Sequence, residues 1–219
     1  MICVSIAEET PAGCLAALKD LPFCEVRMDR MRLTAADVRA IFSRHRNLIA
    51  TCSPGVFPGD HRKMLLLEAI RAGAAFVDVE VDAPSGYREE IMECAHAGGC
   101  AIIVSFHDYS ATPGREELAA TVSACFNVGA DIAKIACMVL KDADNARLLG
   151  LLDDARKIVV VGMGAMGRIT RMVAPLLGSP FTFACRALGR ETADGQIDHE
   201  MLGAVLRALA PYGRGAGER

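Results

Sequence analysis

Lys134 stands inside an otherwise apolar run, residues 132–136, where almost every neighbour is aliphatic. A lysine is rarely buried without a partner or a task. Desolvation favours the neutral amine, and a neutral amine can attack a ketone to form a Schiff base. About one helix length upstream, another apolar run, residues 101–105, ends in Ser105-Phe-His107-Asp108. Imidazole is the side chain suited to moving a proton near neutral pH. Lysine and histidine together therefore spell imine chemistry with an acid/base partner. The competing reading is structural: Lys134 snorkels to water from a strand end and His107 caps the next turn.

The elements around this pair decide where the two side chains can meet. Residues 115–128 carry Leu118, Val122, Cys125 and Phe126 at helical spacing, so the stretch reads strand, helix, strand, which implies a parallel sheet. The same alternation runs through the chain. Strands are expected at 2–6, 24–28, 48–51, 76–81, 101–105, 132–136, 158–161 and 181–184. Helices are expected at 11–19, 35–44, 61–72, 85–97, 115–128, 143–154, 168–177 and 199–209. Thr34, Ser85 and Asp198 read as helix N-caps, and Gly73, Gly129 and Gly178 as C-caps. Eight such pairs in about 200 residues fit a (β/α)8 TIM barrel or an open doubly wound sheet.

Charge placement chooses between them. Glu25-Val-Arg27-Met-Asp29 and Asp78-Val-Glu80-Val-Asp82 put charges on one strand face and apolar side chains on the other. The apolar faces can pack on helices, so the charged faces need an enclosed polar space. The upper lumen of a barrel provides one. The expected architecture is a single (β/α)8 barrel over residues 1–210 with a frayed tail at 211–219.

Composition narrows the function classes. The chain is 52% hydrophobic and 23% charged, with net charge −3, and it has no basic run interleaved with aromatics. Nucleic acid is not an expected partner. No apolar run reaches membrane-spanning length, and the start passes straight into a strand pattern without the marks of a signal peptide. Nine scattered cysteines lack metal-ligand spacing and behave as small hydrophobes of a reducing compartment. A cytoplasmic protein is expected.

The motifs, taken together, resemble one family. Glu25-Val-Arg27-Met-Asp29, Val77-Asp-Val-Glu80, Val104-Ser-Phe-His107-Asp108-Tyr with Thr112-Pro113, and Ala133-Lys134-Ile-Ala are similar to those of the type I 3-dehydroquinate dehydratases of the shikimate pathway. The likeness continues in order through Gly162-Met-Gly-Ala-Met-Gly-Arg-Ile-Thr-Arg171, Leu177-Gly-Ser-Pro-Phe-Thr-Phe-Ala184 and Thr192-Ala-Asp-Gly-Gln196. The resemblance implies a TIM barrel, usually oligomeric and here expected to be a homodimer, working without metal or cofactor in the route to aromatic amino acids. It implies that Lys134 forms the imine with 3-dehydroquinate and that His107 is the general acid/base. It further implies that Arg171 and Gln196 hold the substrate carboxylate, with Thr192 in the same loop, and that Glu25 and Arg27 bind ring hydroxyls. Asp78 or Glu80 would balance the iminium charge or serve as a structural ion-pair partner. Larger members of the family carry N-terminal structure that closes the barrel floor, and this chain is expected to lack it.

Two departures from the pattern matter most. The family usually has an arginine that grips substrate where this chain has Ser53, and a glutamate that supports the histidine where it has Phe57. Asp60, His61 and Arg62, from the same loop, are candidate substitutes. Asp194 stands where proline is usual, a change expected to alter loop stiffness.

Gly162-Met-Gly164-Ala-Met-Gly167 formally satisfies a dinucleotide-binding fingerprint. The following strand, however, ends in Ala184-Cys185-Arg186 rather than an acidic ribose ligand, so the glycines read as a tight loop after strand seven. That loop could instead hold a phosphate, which makes a Schiff-base aldolase of phosphorylated sugars the alternative enzyme. The alternative outside catalysis is a relic barrel that binds a carboxylate without turnover.

Overall fold

A computed structural model describes residues 1–209. The expected tail at 211–219 lies outside the described residues. Eight parallel strands order as β7-β6-β5-β4-β3-β2-β1-β8, wrapping into a nearly closed barrel. They are β1 (Ile2–Ile6), β2 (Cys24–Arg27), β3 (Leu48–Thr51), β4 (Phe76–Glu80), β5 (Ala101–Asp108), β6 (Ile132–Met138), β7 (Ile158–Met163) and β8 (Thr182–Cys185). Helices α1 (Pro11–Ala17), α2 (Ala35–Phe42), α3 (Gly59–Arg71), α4 (Ser85–Gly98), α5 (Arg115–Asn127), α6 (Asp142–Gly150), α7 (Gly164–Val173) and α8 (His199–Leu209) form the outer ring.

Period-two side-chain alternation builds two cores. Outward residues such as Val26, Val77, Val79, Val104 and Ile135 pack on the helices. Inward residues near the strands' N-terminal ends form a separate cluster that includes Cys3, Phe23, Ile49, Ile103, Ile132, Val159 and Phe181. Phe23 and Phe181 meet edge-to-face at 5.2 Å, and Phe76 lies 5.6 Å from Phe23. These rings plug the floor of the barrel. Further up each strand the inward residues turn polar, which matches the expected placement of charge in the upper lumen.

Several boundaries differ from expectation. β5 and β6 run past residues 105 and 136 because their ladder continues through His107↔Ala136 and Asp108↔Cys137. Thr34 caps α2 in a capping box with Asp37, whereas Ser85 is the first helical residue behind Pro84 rather than a cap. Asp198 receives the Glu200 and Met201 N–H groups at 3.0 Å each, as an N-cap should.

The glycines after strand seven do not form a loop. Gly162 belongs to β7 itself and Gly164, at φ +78°, opens α7 directly, four residues before the expected helix start. A Cβ on Gly167 would lie 2.3 Å from the Gly162 carbonyl carbon, so glycine is what lets α7 lie against its own strand. Likewise a Cβ on Gly195 would fall 2.2 Å from the Gly164 carbonyl oxygen. The β8–α8 loop thus rests on the start of α7 by backbone contact, with the Gly164 N–H donating to Asp194 O at 3.3 Å.

Candidate active site

The C-terminal ends of the strands surround a cavity of about 300 Å³. Lys134, His107, Glu25, Arg27, Asp78, Glu80, Arg171, Thr192 and Gln196, all singled out from sequence, line it together. Ser5, Thr51 and Ser53 join them.

Lys134 is central. Its Nζ donates to Asp78 Oδ2 at 2.7 Å, lies 3.7 Å from Glu25 Oε1, and stands 4.7 Å over the Phe183 ring. Ser105 Oγ donates to Asp78 Oδ1 at 2.6 Å, while Ser5 and Thr51 hydroxyls donate to Glu25 at 2.8 and 3.0 Å. Burial by itself lowers the lysine's proton affinity, but Asp78 and Glu25 outweigh it and hold the pKa above the ordinary lysine value. This corrects the sequence-based expectation of a neutral amine: with two carboxylates in reach, desolvation does not win. Asp78 is in turn held below the ordinary carboxylate range, since Lys134 and His107 overcome the cost of its burial.

His107 shows the opposite balance. Burial, then the Lys134 charge, lower its pKa to about 4 despite the nearby Asp78 and Glu25 carboxylates. The imidazole is therefore neutral, free to accept a proton. Its ring stacks on Tyr109 at 5.8 Å and an interplanar angle of 7°.

Arg171 projects from α7 into the gap between β7 and β8, which share no backbone ladder among the described residues. It is fully buried, yet it meets only carbonyls: Phe183 O and Asp194 O, each at 3.3 Å. Its Nε has no hydrogen-bond partner among the described residues, and burial lowers its pKa to about 10. A guanidinium so placed is set to receive an anion. Gln196 stands nearby in the β8–α8 loop. Its Oε1 accepts the Thr192 N–H at 2.7 Å and its Nε2 donates to Ser5 Oγ at 3.2 Å.

The two candidate charge partners separate. Asp78 touches Lys134, whereas Glu80 pairs with Arg62 at 3.1 Å. Arg62 also donates to Cys52 O at 2.8 Å, and neither it, His61 nor Asp60 lines the cavity. Phe57 packs edge-on against His61 at 4.9 Å, away from His107. Arg27 forms a bidentate pair with buried Asp29 at 2.9 and 2.7 Å. Sequence reasoning missed Ser5 and Thr51, though both sit at inward strand positions, and it missed Arg30, in the Met28–Arg30 turn after β2, where strand periodicity has ended. Among the described residues no group of three or more His, Cys, Asp or Glu could hold a metal ion.

Comparison with known proteins agrees with this geometry. The profile of the Type I 3-dehydroquinase family matches residues 2–212. A 3-dehydroquinate dehydratase of Methanosarcina acetivorans is 30% identical over 212 residues, covering 89% of this chain and 88% of the relative. One from Methanocaldococcus jannaschii is 29% identical over 95% of this chain and 99% of the relative. A type I 3-dehydroquinate dehydratase from Clostridium difficile, solved with covalently modified comenic acid, superposes with a TM-score of 0.85. It is 26% identical, and the match covers 96% of this chain and 92% of that one. A 3-hexulose-6-phosphate synthase from Salmonella typhimurium, 17% identical with a TM-score of 0.63 over 94% of this chain and 98% of that one, shares the fold alone. The chain belongs to the type I 3-dehydroquinase family and is a hydro-lyase.

Proposed function

We propose that this chain dehydrates 3-dehydroquinate to 3-dehydroshikimate through an imine on Lys134. The observation that carries the reading is a lysine held beside a neutral histidine in a cavity whose far wall is a buried arginine with no carboxylate partner among the described residues. Arg171 and Gln196 take the substrate carboxylate, which brings the C3 ketone to Lys134. The ammonium first gives up a proton. His107, neutral and on the neighbouring strand, is the acceptor in this reading, while Asp78 stays hydrogen-bonded to the lysine nitrogen. The amine adds to C3, and loss of water leaves an iminium whose positive charge replaces that of the ammonium. Asp78 and Glu25 therefore stabilise the intermediate with the geometry already present.

The iminium acidifies the C2–H bond. His107, having released its first proton to the departing water, removes the C2 proton and leaves an enamine. The enamine electrons then expel the C1 hydroxyl, and His107 returns its proton so that water leaves. Hydrolysis of the conjugated imine frees 3-dehydroshikimate and restores Lys134. Net, one water is lost from the substrate, and nothing is oxidised or reduced.

The aldolase alternative requires a phosphate at the loop after β7. That position is filled instead by the β8–α8 loop packed on Gly164. Borohydride added during turnover should reduce the imine and leave a ligand-sized mass on the peptide containing Lys134. A mass on Lys141 or Lys157 instead, with Lys134 unmodified, would sink the assignment.

We also infer a cytoplasmic homodimer. Nine free cysteines suit a reducing compartment, and no helix among the described residues is long and apolar enough to cross a membrane. Met166, Ile169 and Leu177 leave an apolar stripe on and just after α7, 44–48% exposed, which supports pairing with a second copy. Sedimentation of Met166→Glu/Ile169→Glu as a monomer is the expected result. An unchanged dimer would move the interface elsewhere.

A further inference from the structure

Arg30 occupies the rim of the cavity on the side away from Arg171. It ends the short 3₁₀ turn Met28–Arg30 that follows β2, while Ser53, just past β3, lines the same wall. In an eight-membered ring of strands β3 stands opposite β7, so this wall faces the β7–β8 gap that Arg171 fills. The two walls differ in what their arginines already hold. Asp29, the acid of this wall, is already engaged: its Oδ1 accepts Arg27 Nε and the Ser53 N–H, and its Oδ2 accepts Arg27 Nη2. Arg30 Nε lies 3.6 Å from that Oδ2, beyond hydrogen-bond reach, and its side chain is 55% exposed. One carboxylate thus serves two guanidiniums and satisfies only Arg27.

We propose that Arg30 is a specificity-determining residue that donates to the C4 and C5 hydroxyl oxygens of the substrate. The inference rests on the dehydratase reading and adds a contact to it. With the C1 carboxylate on Arg171 and C3 bonded to Lys134, the ring carbons remote from C1 point at the β2–β3 wall. C4 is para to C1, and C5 is beside it. Both carry hydroxyls with free lone pairs. Arg27 is locked against Asp29, Ser53 is short, and Arg30 brings unfilled N–H donors to this edge on a long, half-exposed stem that can swing inward. A charge-assisted bond at a solvated rim is worth less than a buried one, so its loss should cost about tenfold in kcat/KM.

The test compares wild type, Arg30→Ala and Arg30→Lys on 3-dehydroquinate and on an analogue lacking the C4 and C5 hydroxyls. Arg30→Ala should lower kcat/KM for 3-dehydroquinate about tenfold, mainly through KM, with Arg30→Lys recovering part of the loss. On the analogue the three proteins should be equal, and their thermal midpoints should agree. If Arg30→Ala stays within twofold of wild type on 3-dehydroquinate, the contact does not exist and the proposal fails while the dehydratase reading stands. If it weakens both substrates equally, Arg30 acts through Arg27 or the fold, and the proposal fails again. Absence of dehydroquinate turnover by the wild-type protein would overturn the reading beneath it as well.

Discussion

Lys134 and Arg171 are both almost wholly buried, at 7% and 0% exposure, yet their surroundings are opposite in kind. Lys134 has two carboxylates, themselves held by hydroxyls from Ser5, Thr51 and Ser105. Arg171 has two carbonyls and an idle Nε. The same burial leaves the lysine's pKa raised and the arginine's lowered. What differs is the resident counter-charge. The first cation has its counter-charge within the chain, which suits the proposed imine, where one positive charge would replace another at the same place. The second has none among the described residues, which is why the proposed function gives it the substrate carboxylate.

Stability gives the sharpest way to break this contrast. Lys134→Met should leave Asp78 and Glu25 buried against each other without a cation, a loss of about 3–5 kcal/mol. Arg171→Met strands no charge, so it should be neutral or stabilising within about 1 kcal/mol, although it should disable turnover. Urea unfolding of the two variants checks both. Equal destabilisation would mean that the two cations are embedded alike.

His107 supplies the next largest effect. Its pKa falls from the ordinary 6.5 to about 4 in the folded chain, a difference of about 3 kcal/mol. The sign follows from the lowered value. Between pH 6.5 and 4 the unfolded chain binds a proton that the folded chain refuses, so stability is lost as pH falls through this window. His107→Phe should remove that component, and its stability should fall less than wild type's between pH 6.5 and 4. Parallel pH curves would show that His107 is readily protonated in the fold.

Anion binding probes the other member of the pair. A ligand at a hundred times its dissociation constant stabilises by about 2.7 kcal/mol. At such a concentration 3-dehydroshikimate, which keeps the carboxylate, should raise the thermal midpoint of wild type. At that same concentration it should leave Arg171→Met nearly unmoved. A full shift in the variant would place the carboxylate elsewhere.

Much of this was legible before the fold was known. The period-two charges at Glu25/Arg27 and Asp78/Glu80 located the lumen, and the lysine and histidine on successive strands were the source of the proposed chemistry. Four things were hidden, each for a physical reason. The proton state of Lys134 depends on Asp78, 56 residues away in sequence, and on a distance that no spacing encodes. The start of α7 was missed because the glycines that look like a loop are there for helix–strand contact. Arg62 suggested itself as a substitute cation by proximity in sequence, but from α3 it is taken up by Glu80 and the Cys52 carbonyl. Arg30 could not be read from a strand pattern, since it lies in a 3₁₀ turn whose period is three.

The smallest expected effect concerns Ser53, and it tests whether the β2–β3 wall has room for another cation. Ser53 lines the cavity with its N–H turned to Asp29, so an arginine there would enter beside Arg27 and Arg30 with no fresh acid to balance it. A new donor to the substrate's hydroxyl edge is worth roughly tenfold when well seated. Repulsion from two neighbouring guanidiniums works against that seating. Ser53→Arg should therefore raise kcat/KM for 3-dehydroquinate by only about threefold. Removing Arg30 relieves the crowding, so Ser53→Arg in an Arg30→Ala background should give a larger gain, about tenfold, and return the protein to near wild-type efficiency. Arg62→Ala should not be rescued by Ser53→Arg, because Arg62 serves Glu80 and the chain at Cys52 rather than the ligand. If Ser53→Arg gives the same factor in both Arg30 backgrounds, the two positions do not share an edge of the substrate. If instead it rescues Arg62→Ala, the loop after β3 reaches the cavity in a way that this wall does not account for.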